Sequence, residues 1–283
     1  PSLSVLGSVI RRPRDEQRIS RSAAIVHPLS GLAQAAEVLL QSPALLGGWP
    51  IWLANDLTVR YAPGYSATRV STFAMEWQIA AYSTVLDAEG SLTYSAEGHQ
   101  FYVLSFPTAG VTWVYDLTSG LWHKRGPWGG LEYSALDVWG YTKAFGNHLV
   151  GSRTTGVIYE MSQAFSVGTD GAGLRRLRRA PHLVNGLKRQ NFYNFELHME
   201  VGLGLSSGQG SDPQAMLRWS NDGGQTFGNV LNASTGPIGA YGTRVRWPGS
   251  LGQARDRVFE VSYSEPVPMR IVDAYLDVKQ GTS

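Results

Sequence analysis

The sequence has no cysteine in 283 residues. This excludes disulfides, a thiolate metal site and a cysteine nucleophile, and it fits synthesis in a reducing cytoplasm. Charge is also scarce. Only 16% of residues are Asp, Glu, Lys or Arg, against about a quarter in an ordinary soluble chain. Much of the surface is therefore expected to be uncharged polar residues, glycine or contacts to other subunits. The net charge of +2 is too mild to argue for nucleic acid by itself. No apolar run approaches the ~18 residues that a membrane helix needs, so no membrane contact is expected.

Signatures of catalysis are missing too. The six histidines, His27, His99, His123, His148, His182 and His198, include no pair at i, i+2 or i, i+4, so metal-ligand spacing is absent. His123 beside Trp122 reads as a satisfied strand residue rather than a ligand. There is no G-x-S-x-G elbow. The stretch Gly208-Gln209-Gly210-Ser211-Asp212 lacks the Gly-Lys-Ser/Thr ending of a phosphate loop. No carboxylate pair is assignable to glycoside hydrolysis, and no tyrosine nucleophile stands out among 13 tyrosines. The reading is a protein that is not an enzyme, with no catalytic residue, no metal and no cofactor.

What is present points to sheet. There are 33 glycines, 9 tryptophans and 13 tyrosines, and many turns with many aromatics favour strands over helices. The chain is organised around Met216–Trp247. It opens with the alternating Met216-Leu217-Arg218-Trp219. Ser220-Asn221-Asp222-Gly223-Gly224-Gln225-Thr226-Phe227 then matches an Asp box, S-x-D-x-G-x-T-aromatic. Ser220, Asp222, Gly224, Thr226 and Phe227 are its structural residues. Asp222 is expected to accept turn amides, and Gly223 or Gly224 to take positive φ. Thr226 is expected to re-enter the sheet, with Phe227 plugged beneath the turn.

Three segments follow from the patterning. Residues 1–46 read as an N-terminal arm with the charge cluster Arg11–Arg18 and one short helix between Pro28 and Leu46. Residues 47–165 read as propeller-like blades. Trp49–Tyr61 is a hairpin, Ser71–Ala80 a helix or a strand, and Ala81–Leu86 a strand. Gly98–Phe106, Val111–Asp116 and Leu121–Lys124 are further strands. The text T-W-V-Y-D-L-T-S-G-L-W-H over Thr112–His123 is a blade signature, whose two aromatics are expected to pack between adjacent blades. Residues 166–283 read as a β-rich, sandwich-like domain. Its strand Asn191–Val201 alternates, with Tyr193, Phe195, Leu197, Met199 and Val201 on the face to be buried. The fold class is all-β.

Leu174-Arg175-Arg176-Leu177-Arg178-Arg179 is the strongest basic cluster. Two readings stand. One is a DNA-facing patch neutralising phosphates. The other is an inter-domain strand whose arginines pair with Glu or Asp. For Arg244, Arg246, Arg255 and Arg257 the expectation is cross-strand ion pairs with Glu260, Asp256 or Asp273.

Several segments together resemble one family, the packaged-DNA stabilisation or tail hub (head-closure) proteins of short-tailed bacteriophages. They are GHQFYVLSFPTAGVTWVYDLTSGLWHKRG (Gly98–Gly126), AFGNHLVGSRTTGVIYEM (Ala144–Met161), LRRLRRAPHL (Leu174–Leu183), ELHMEVGLGLSSGQGSDPQAMLRWSNDGGQTF (Glu196–Phe227) and YGTRVRWPGSLGQARDRVFEVSYSEPV (Tyr241–Val267). The resemblance implies a virion protein of the head-to-tail junction, assembled in the host cytoplasm and closing the portal after packaging. The implied partners are a homo-oligomeric, hexameric ring, the portal adaptor, a tail needle or distal tail protein, and tailspikes or fibres. Arg175, Arg176, Arg178 and Arg179 would touch channel DNA if they face the lumen. The family carries no catalytic residues to transfer. The alternative is a carbohydrate-binding or sialidase-like propeller module of a phage tail.

Overall fold

The computed structural model describes residues 9–11 and 42–281, except 131, 170 and 172. Most of the N-terminal arm, and the helix expected from Pro28, lie outside the described residues. The three that close that span, Ala44–Leu46, form a strand. The described residues divide into two compact units, one within 11–161 and the other within 9–10 and 162–281. A short strand, β1 (Val9–Arg11), precedes the rest.

In the first unit, strands pair with their neighbours in sequence. β2 (Ala44–Leu46), β3 (Trp49–Leu53), β4 (Val59–Tyr61) and β5 (Thr68–Arg69) form one antiparallel sheet. After α1 (Phe73–Ala80), a second sheet runs β6 (Glu89–Ala96), β7 (His99–Phe106), β8 (Val111–Asp116) and β9 (Leu121–Lys124). A third meander follows in β10 (Trp139–Ala144), β11 (Asn147–Gly151) and β12 (Ile158–Ser162). These successive meanders have the strand order of blades, and no closed ring forms among the described residues.

The first two sheets and α1 share one core. Leu46, Ile51, Leu53 and Val59 meet Tyr102, Leu104, Phe106, Trp113 and Tyr115, with Met75 and Ile79 of α1. Each fully buried side chain of this size contributes roughly 1.5–3 kcal/mol. Thr72 caps the helix by accepting from the Met75 amide. Tyr102 is wholly buried, and its hydroxyl donates to the Ser42 carbonyl at 2.7 Å. Gly90 leaves the room for it: a Cβ there would sit 2.2 Å from both that hydroxyl and the Ser42 oxygen.

Three expectations need correction in this unit. Ala81–Leu86 is turn and coil, not strand; its backbone is spent closing α1, with the Ala81 and Tyr82 amides donating to Gln78 and Ile79. The longest missed strand is β6, whose polar EGSLTYSA text hides its pairing with β7; β5 and β10 were not read either. Tyr115 and Trp122 are cross-strand partners within one sheet, 5.0 Å between centroids. The reach to the neighbouring sheet is made by the Trp122 indole N–H, donating to the Val70 carbonyl at 2.8 Å.

The second unit is a β-sandwich. One sheet runs β13 (Arg176–Arg179), β20 (Asp256–Tyr263), β16 (Gln214–Ser220) and β17 (Leu231–Ser234), with β14 (Leu183–Val184) also on β20. The other sets β15 (Gln190–Met199) between β21 (Ile271–Gln280) and the short β18 (Val245–Trp247) and β19 (Gln253–Ala254). Phe192, Phe195, Leu197 and Met199 of β15 pack onto Leu217, Phe259, Val261 and Tyr263 of the opposite sheet. The alternation read from the sequence holds from Phe195 onward. It fails before that, since Phe192 is buried and Tyr193 is 38% exposed. The register of β15 against β21 shifts between Phe192 and Phe195, and such an irregularity exchanges the two faces.

Candidate functional site

The most concentrated polar arrangement lies at the end of β16, where the Ser220–Phe227 loop leaves the sandwich. On β20, Phe259, Val261 and Tyr263 point into the core, so Glu260 points to the opposite face. It is nevertheless fully buried. Arg218 on β16 and Arg179 on β13 are its register partners on either side. Arg218 Nε donates to Oε1 at 2.5 Å and Arg179 Nε to Oε2 at 2.6 Å. Each carboxylate oxygen thus holds one cation, which offsets the cost of burying the charge. Both guanidinium carbons also lie 4.7 Å from the centroid of Phe227. Phe227 is half-buried and faces two cations that its ring attracts. It is not a plug beneath the turn, as the sequence suggested.

The loop is closed from inside by Asp222. Its carboxylate accepts from the Gln225 amide at 3.0 Å, the Thr226 amide at 2.9 Å and the hydroxyls of Ser220 and Thr226. The hydroxyl bonds from Ser220 and Thr226, then the turn amides, hold its pKa well below the usual carboxylate range. Ser220 Oγ also accepts from the Gly224 amide at 2.8 Å. Gly223 and Gly224 both adopt positive φ, at 76° and 90°, which suits glycine. Thr226 does not re-enter the sheet. The next strand, β17, begins only at Leu231, opposite Leu217, because Asp222 engages the Thr226 amide and hydroxyl and keeps them from the ladder.

Arg257 anchors the loop from below. Its position on β20 faces the core, and it is 1% exposed. Its guanidinium donates to the Asn221 side-chain oxygen at 2.8 Å, the Leu251 carbonyl at 2.7 Å and the Gln253 carbonyl at 3.4 Å. The rings of Phe192, Trp219 and Phe259 lie 4.3, 5.2 and 5.6 Å away. Burial pushes its pKa down to about 10. The expected cross-strand ion pair is replaced by carbonyl dipoles and ring faces, which solvate a cation without a second buried charge. Arg244 does pair, but with Glu196, and Arg255 donates to the Leu187 carbonyl at 2.7 Å.

The four clustered arginines separate. Arg176 turns inward, 5% exposed, onto the carbonyls of Glu265 and Val267. Arg175 donates to Ser262 Oγ at 3.3 Å. Arg179 joins Glu260, while Arg178 is exposed. Of the residues singled out in the sequence, the fold therefore brings Arg179, Glu260 and Phe227 together. Glu260 was assigned to Arg244, Arg246, Arg255 or Arg257 instead, and the part of Arg218 was not read. The opposition of Arg218 and Glu260 is set by strand register, which spacing alone does not give.

Both carboxylates of this region are fully engaged by cations, hydroxyls or turn amides. Those bonds fix the turn and tie β13, β16 and β20 together. Among the described residues, no group of three or more His, Asp or Glu is placed to hold a metal ion. No described helix is long and apolar enough to cross a membrane.

The described residues thus define an all-β protein in which antiparallel meanders precede a β-sandwich braced by buried arginines. Residues 175–279 match the family model of the bacteriophage P22 Gp10 β-sandwich. That match covers about a third of the chain and agrees, over those residues, with the resemblance drawn from the sequence. No curated protein matches the chain. Among solved structures, exo-beta-1,3-galactanase from Phanerochaete chrysosporium with galactose is similar over 80% of this chain and 65% of that one, at 9% identity and a TM-score of 0.22. A similarity that weak carries no argument.

Proposed function

We propose that this chain is a structural virion protein of the phage head-to-tail junction, a tail hub that closes the portal after DNA packaging. The observation that carries this reading is the match of residues 175–279 to the P22 Gp10 β-sandwich, on a segment that folds as a sandwich with its own core. The composition agrees. A chain with 16% charged residues and exposed aromatics such as Tyr65, Phe73 and Trp77 suits surfaces that bury against neighbours. In this reading the protein forms a hexameric ring by head-to-tail contacts. It joins the portal adaptor to the tail needle and to tailspikes or fibres. Arg178, exposed on β13, is the member of the arginine cluster to test for non-specific contact with channel DNA.

The test is the position and copy number of the chain in intact particles, by electron cryo-microscopy. A ring between the portal adaptor and the tail tip is expected. A position on peripheral fibres alone overturns the reading.

A further inference from the structure

The second and third meanders meet along β6 and β10, and the chemistry of that seam is unusual. Tyr94 of β6 stacks on Phe101, 4.9 Å between centroids, and approaches Tyr141 of β10 at 6.0 Å and His148 of β11 at 6.2 Å. Behind it lies Arg125, 7% exposed. One guanidinium nitrogen of Arg125 donates to the Tyr94 hydroxyl, and the other lies 3.1 Å from His123 Nε2. Its carbon sits 5.5 Å from the Phe101 centroid. An arginine nitrogen only donates, so Nε2 of His123 is the acceptor and carries no proton. The imidazole is therefore neutral by geometry. Across the seam, His148 Nδ1 lies 2.7 Å from the Tyr141 hydroxyl, and Lys143 is its cross-strand partner.

We propose that this seam is an acid-sensitive joint, in which proton uptake at His123 loosens the third meander from the second. A protonated Nε2 becomes a second donor facing Arg125. The pair then sets two cations against each other next to Tyr94, which touches both meanders. The other charged or titratable groups around His123 are Asp116 on β8 and His99 on β7, which hold each other at 2.8 Å. Asp116 also takes the Ser119 hydroxyl at 2.6 Å and the Thr118 amide at 3.0 Å, so its charge is already engaged. Burial, then Arg125, pushes His123 down to about 3. Burial, then Lys143, lowers His148.

The sign follows from linkage. A histidine whose folded pKa is depressed stabilises the closed seam fully above its unfolded value, about 6.5. That stabilisation is lost as pH falls from there toward the folded value. The opening equilibrium rises by up to about tenfold per pH unit for each proton taken up. A second strut, the ion pair of Arg153 with Glu89, crosses the same seam and contains no histidine.

The test is hydrogen exchange of the β10 and β11 amides on the full chain, corrected for intrinsic rates, at pH 7 and at lower pH. Wild-type protection is expected to fall by up to about tenfold per pH unit below about pH 6.5. His123→Gln places an amide oxygen near the position of Nε2 and cannot be protonated, so its protection is expected to change less. An equal fall in both proteins, or no fall in the wild type, overturns the proposal. NMR of the imidazole carbons in the wild type decides the matter should the variant fail to fold. His123 is expected to remain neutral above about pH 5, and titration near 6.5 overturns the joint.

Discussion

Arg257 and Asn221 are joined by a 2.8 Å hydrogen bond from a buried guanidinium to the second residue of the Ser220–Phe227 loop. The loop is therefore fastened to the sandwich interior as well as to its own turn.

Removing the Arg257 side chain is expected to be costly. Arg257→Ala leaves a cavity among Phe192, Trp219 and Phe259 and orphans the Leu251 carbonyl, for an expected loss of about 3–5 kcal/mol. Arg257→Met keeps much of the volume without a buried charge and is expected to lose less. Chemical denaturation of both variants checks this. A Met variant less stable than the Ala variant contradicts the account.

Glu260→Gln leaves Arg179 and Arg218 facing a neutral amide. Arg179 is 52% and Arg218 27% exposed at the side chain, so water relieves part of the loss, and the expected cost is about 1–2 kcal/mol. The two arginines share one carboxylate and one ring. Their Ala variants are expected to be non-additive in a double-mutant cycle by about 0.5 kcal/mol or more. Strict additivity removes the coupling claimed for them.

Asp222 sets an acid limit on the loop. Its pKa is depressed, so its stabilising effect is present above the ordinary Asp value, about 3.9, and fades as pH falls through the lower folded value. Asp222→Ala is expected to raise amide exchange and protease cleavage across Asn221–Gly228 at neutral pH and to abolish this acid dependence. Unchanged exchange at the Gln225 and Thr226 amides counts against the assignment.

The four clustered arginines are expected to divide by burial. Arg176→Ala is expected to cost about 1–3 kcal/mol, since two carbonyls lose their donor. Arg178→Ala is expected to stay within about 0.5 kcal/mol. Thermal unfolding separates the two, and equal effects refute the division.

Gly126 is a steric test. A Cβ there would come within 1.8 Å of the Ser134 carbonyl oxygen, where the loop returns with Trp128 against Tyr133. Gly126→Ala is expected to cost about 1–3 kcal/mol through backbone displacement. A neutral variant in thermal unfolding shows that the loop has room to move.

Much of the strand content was legible because apolar alternation marks a half-buried strand. Phe195, Leu197 and Met199 entered the core as their spacing required. Tyr193 did not, because one register shift reverses the faces, and nothing in the spacing marks that shift. β6 was hidden by serine and glycine, whose strand identity comes from pairing rather than from side chains. The Ser220–Phe227 turn was legible in its acceptor, Asp222, and in its glycines. The burial of Arg257 was not, because charge suggests solvent. The assembled ring faces, the backbone carbonyls and the Asn221 side chain make its interior position tolerable.

Strand order also bears on how the chain folds. From β2 to β12 each strand finds a partner among its immediate neighbours, as Ile51 finds Tyr61 and Phe101 finds Asp116. The loops to be closed are short, so these meanders are able to form while the chain is still being made. The sandwich is different. Arg179 waits for Glu260, and Gln190 for Gln280. Until β20 exists, the arginine edge of β13 lacks its strand partner and the apolar face of β15 lacks Phe259, Val261 and Tyr263. Slow, late closure is the expectation for such distant pairings, which makes the sandwich the part of the nascent protein most in need of protection from aggregation.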